Sequence, residues 1–97
     1  MSRTLIERRL MELSERLRDA RRELAVADEQ LDHLAGVADE ARLRSLVSET
    51  PLAEQEYRDA SRHAEAMARH QSSVSQTIVQ LEQAQDDLLD RLIAGSD

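Results

Sequence analysis

The sequence predicts an all-α fold, an antiparallel two-helix coiled-coil hairpin, and three observations carry that prediction. Over residues 6–41 a small or apolar residue returns every three, then four positions: Ile6, Leu10, Leu13, Leu17, Ala20, Leu24, Ala27, Leu31, Leu34, Ala38, Ala41. A second stripe with the same spacing runs through Tyr57, Ala60, Ala64, Met67, Gln71, Val74, Ile78, Leu81, Gln85, Leu88 and Leu92. Between them stands a single reversal signal, Ser48-Glu49-Thr50-Pro51. A 3,4 repeat keeps one narrow apolar seam on a helix, and two such seams joined by a short connection bury each other.

Composition agrees with this reading. The 97 residues leave room for one domain and contain 1% aromatic residues, so a compact core built around large rings is not expected. Two glycines, one proline and 34% charged residues fit long helices with solvated faces.

Helix 1 is expected over about 3–47. Ser2 or Thr4 offers its start, and Thr4 with Glu7 three residues on has the spacing of a capping box. Glu12 with Arg16 and Glu15 with Arg18 are spaced for ion pairs along the helix, and Arg18 with Arg22 and Glu15 makes a mixed cluster. Gly36 falls on the face opposite the seam, so the helix is expected to continue through it at a cost of about 1 kcal/mol relative to Ala. Past Ala41 the next seam positions are Ser45 and Ser48, and the apolar stripe stops.

The turn is expected over about 48–51, with Thr50 as N-cap and Pro51 at the first helical position, where its missing N–H is harmless. Helix 2 is expected over about 51–94, stopped by Gly95. Each helix then spans ~60 Å at 1.5 Å per residue. Antiparallel pairing about Glu49 and Thr50 sets Leu17 against Leu81, Leu24 against Val74 or Ile78, and Ala38 and Ala41 against Ala60 and Ala64. Gln71 and Gln85 are polar seam positions, expected to fix the register at some loss of stability.

Two surfaces lie outside the seam. At the tip, Leu43, Leu46, Val47 and Leu52 form an apolar cluster expected to bind a protein partner. At the open end, Leu5, Ile6, Met11, Leu89 and Ile93 widen the apolar surface beyond one stripe. They are expected to mediate self-association, as a homodimer that makes a local four-helix bundle.

Several function classes find no support. The net charge of −7 disfavours direct nucleic-acid binding, which relies on clustered cations. No stretch approaches the ~18 apolar residues of a membrane span, and Arg3, Glu7, Arg8 and Arg9 break up any leader-like run, so no membrane role and a cytoplasmic location are expected. Thirteen basic residues that are all Arg point to the codon bias of a GC-rich bacterial genome. With no cysteine there is no thiolate chemistry. His63 and His70 share a face and His33 pairs to a similar level, but all three flank the seam, whereas metal ligands in bundles converge inside it. No metal, no cofactor and no catalytic residue is therefore assigned, and no enzyme is expected; Ser72, Ser73 and Ser75 lie in a polar stretch without a legible base.

The expected function is that of a non-enzymatic adaptor or regulator presenting its tip, its open end or both to a protein partner. A second reading starts from acids around the bend: Asp39, Glu40, Glu49, Glu54 and Glu56, with the piece EQEYRDA at 54–60. In outline this resembles the coiled-coil arm of bacterial transcript-cleavage and secondary-channel factors of the Gre and DksA type. That resemblance implies an arm that inserts into RNA polymerase and uses tip carboxylates to influence the catalytic magnesium.

Overall fold

In the computed structural model, which describes residues 1–95, the chain is a helical hairpin: α1 (Arg3–Ser48), a two-residue bend, then α2 (Pro51–Ala94). Among the described residues there is no strand. The helices form because each stripe finds an apolar counterpart. Every position of both 3,4 stripes is buried or half-buried, while nearly all positions between them are exposed.

Local chemistry sets the ends. Ser2, not Thr4, caps α1: its Oγ accepts the Leu5 N–H at 3.2 Å. The expected Thr4–Glu7 box is not made, because Thr4 already lies inside the helix and Glu7 pairs with Arg3 at 3.0 Å. Gly36 does not end α1, which is continuous from Arg3 to Ser48. At the bend, Glu49 adopts a left-handed backbone (φ 52°) and its N–H reaches the Ser45 carbonyl at 3.1 Å, an αL helix cap made by a residue other than glycine. Thr50 then caps α2 as expected, with Oγ1 accepting the Ala53 N–H at 3.2 Å. Gly95 follows the last residue of α2 and donates to the Arg91 carbonyl at 2.9 Å.

The chain divides into two compact units. The open-end unit joins Met1–Leu24 to the segment from Val74 onward. Its core is Leu13, Leu17, Ala20, Val74, Ile78 and Leu81, with Leu24, Ala84 and Leu88 packed against it. Leu17 is the largest side chain shut off completely, at 1% exposure. Burying it contributes about 2–3 kcal/mol. An ion pair crosses the helices here, Arg21 to Glu82 at 3.7 Å.

The bend unit, Ala25–Ser73, has a thinner core. Ala27, Ala41 and Ala53 are its fully buried apolar residues, while Leu31, Leu34, Met67 and Tyr57 are half-buried. Small side chains allow close helix approach but bury little area, so each larger neighbour keeps one edge in water. Gln71, a polar seam position, donates from Nε2 to Asp28 Oδ1 at 2.6 Å across the helices. Among the described residues, along-helix pairs include Arg3–Glu7, Asp19–Arg22, Asp39–Arg42 and Asp59–Arg62, and the expected pairs around Glu12 and Glu15 are not formed.

Candidate interaction surface

The seam fixes which face of each helix looks outward. In the heptad frame of α1, most outward positions carry charged residues such as Arg8, Glu12, Arg18, Asp19, Arg22, Asp32 and Asp39, with the exposed Met11 and Val26 among them. In the last two turns aliphatic residues concentrate on this face, with Leu43, Leu46 and Val47. Leu52 follows in the first turn of α2. Exposures are 52% for Leu43, 62% for Leu46, 86% for Val47 and 69% for Leu52. None can turn inward: the seam there is already occupied by Ala41, Ser45 and Ala53, and helical spacing holds the four off it. Four exposed aliphatic side chains within ten residues, flanking a capped two-residue bend, form a surface of the kind that marks an interface.

The acids of the bend are differently placed. Asp39 is held by Arg42, whose Nη2 and Nε lie 3.2 Å and 3.3 Å from Oδ1. Glu40 is exposed, Glu54 stands in the first turn of α2, and Glu49 is committed to the left-handed cap. On the outer face of α2, Gln55, Arg58, Asp59 and Arg62 join in a chain of side-chain hydrogen bonds of 2.9 Å, which balances charge along that face.

Of the residues expected at the open-end surface, Met11, Leu89 and Ile93 are exposed, at 65%, 40% and 69%. Leu5 is half-buried. Ile6 is buried to 4% exposure within its own hairpin, so it does not belong to a free surface; it is the first position of the seam repeat and packs as such.

His33, His63 and His70 are exposed. His33 borders an open groove with Glu29, Gln30, Leu34 and Met67. Among the described residues no three His, Cys, Asp or Glu side chains converge as a metal site would require, and no helix is long and apolar enough to cross a membrane.

Two features escape the seam pattern. The left-handed Glu49 carries no sequence signal, since Gly or Asn is the usual residue at such a cap. The Asp28–Gln71 bond could have been found by asking which polar side chain flanks a polar seam position on the opposing helix. Comparisons with protein-family models, with curated proteins and with solved structures find no match for this chain.

Proposed function

We propose that this chain is a non-enzymatic coiled-coil adaptor of a bacterial cytoplasm. Its bend end docks a protein partner, and its open end associates with a second copy. One observation carries the reading: Leu43, Leu46, Val47 and Leu52 gather within ten residues and all stand more than half exposed beside a well-capped bend. A hairpin that needed only solubility at its tip would not gather four exposed aliphatic side chains there. Exposed aliphatic residues favour a protein surface over a nucleic acid, and the net charge of −7 points the same way. The polymerase-directed reading has less support, because Arg42 offsets the charge of Asp39.

The test uses the immobilised full chain and soluble extract from its source organism. L46D/V47D abolishes capture of a specific protein, whereas D39N/E40Q leaves it intact and both variants keep their helical circular dichroism. Retained capture by L46D/V47D sinks the tip half of the reading. Loss of a transcriptional effect only with D39N/E40Q turns it towards the polymerase.

A further inference from the structure

We propose that the second copy docks on one flank of the open end, with both hairpins pointing the same way and α1 of each lying against α2 of the other. This rests on the self-association half of the proposed function and adds its surface, its direction and its residue pairing.

The flank is defined by the Arg21–Glu82 ion pair, 3.7 Å long, which bridges the two helices on one side of the seam. One heptad nearer the open end, the equivalent positions are Ser14 and Leu89. Met11 lies three residues before Ser14 and Ile93 four after Leu89, so both extend the same flank. Arg18 and Asp86 hold the corresponding places beside the ion pair. From the mouth inward the flank therefore reads Met11 with Ile93, Ser14 with Leu89, Arg18 with Asp86, Arg21 with Glu82. Three large exposed apolar residues near the mouth, Met11, Leu89 and Ile93, stand on this flank, beside the half-buried seam residues Leu10, Leu88 and Leu92.

Charge identifies the occupant. Residues 1–24 carry seven Arg against five acids, whereas residues 74–95 carry four acids against one Arg. A basic helix beside an acidic one is complementary to itself after a half-turn about the hairpin's own axis, which sets α1 against the partner's α2. That operation preserves level, so Met11 meets the partner's Ile93 and Arg18 meets the partner's Asp86. A twofold perpendicular to the helices instead stacks α1 on α1 and α2 on α2, opposing like charges. A partner of uniform charge would satisfy one helix and repel the other.

The chain has no cysteine, which allows a clean test. Wild-type protein sediments as a dimer, and I93D sediments as a monomer at the same concentration with its helicity unchanged. R18D weakens the dimer by about tenfold, and R18D/D86R restores it, since each reversed residue again faces its opposite. Under mild oxidation, M11C mixed with I93C gives the mixed disulfide, while M11C alone stays uncrosslinked. A monomeric wild type, a dimer unaffected by I93D, R18D/D86R no tighter than R18D, or M11C crosslinking to itself as readily as to I93C overturns the proposal. Because L46D/V47D lies in the bend unit and the dimer positions lie in the open-end unit, loss of the tip partner and loss of the dimer are read independently.

Discussion

Gln71 Nε2 and Asp28 Oδ1 stand 2.6 Å apart, joining α2 to α1 through a polar position of the seam. An amide here gives up the area that Leu would bury, and in exchange it has one short, charge-assisted partner that exists in one register only. Asp28→Ala therefore lowers stability by about 1 kcal/mol. Gln71→Leu raises the melting temperature while permitting helix slippage. A double-mutant cycle between Asp28→Ala and Gln71→Ala, followed by urea unfolding, gives a coupling of about 0.5–1.5 kcal/mol. Additive single effects would show that the bond contributes nothing to register.

Gly36 has open space where a side chain would begin: nothing lies within 4 Å of an added Cβ. The helix is continuous through it, so glycine brings only its backbone entropy. Gly36→Ala is expected to stabilise the hairpin by about 1 kcal/mol, read as a shift in the urea midpoint with unchanged slope. A loss of stability would mean that this turn of α1 needs to bend.

The bend stores a little strain. Glu49 holds φ at 52°, a region that costs a residue with a Cβ about 1–2 kcal/mol and glycine almost nothing. Glu49→Gly is accordingly expected to stabilise by about 1 kcal/mol, less what glycine adds to the freedom of the unfolded chain. Thr50→Ala removes the cap on Ala53 and costs about 1 kcal/mol. If both substitutions destabilise, the Glu49 side chain is supporting the bend.

What could be read in advance follows from the strength of each physical constraint. Both seams were legible throughout because burial repeats at 3,4 spacing and a slip would expose Leu17 or Ile78. The Thr50 cap was legible because Pro51 leaves it one place to stand. At the start of α1 the sequence offers Ser2 and Thr4 alike, because both bring a hydroxyl and capping alone cannot choose between them; Ser2 makes the cap and the Thr4–Glu7 box does not form. The ion pairs around Glu12 and Glu15 were misassigned for a related reason: exposed pairs differ by tenths of a kcal/mol, too little for spacing to select one. Ile6 was grouped with the open-end surface although the repeat already claimed it. At the tip, Leu43, Leu46, Val47 and Leu52 could be picked out as apolar, but no residue type there specifies what binds.

The tip leucines can be separated from the structural ones by one comparison. Leu17 and Leu46 are the same residue on the same helix, 1% and 62% exposed. Leu17→Ala leaves a void in a core whose neighbours, Leu13, Val74, Ile78 and Leu81, are held by their own helices, so it costs about 3 kcal/mol. Leu46→Ala removes a side chain that already faces water, and its effect on urea unfolding stays within about 0.5 kcal/mol. The isolated hairpin then gains nothing from Leu46 that would explain an aliphatic residue in water. A cost at Leu46 approaching that at Leu17 would instead show that the tip residues pack within the chain, and the docking surface assigned to them would be lost.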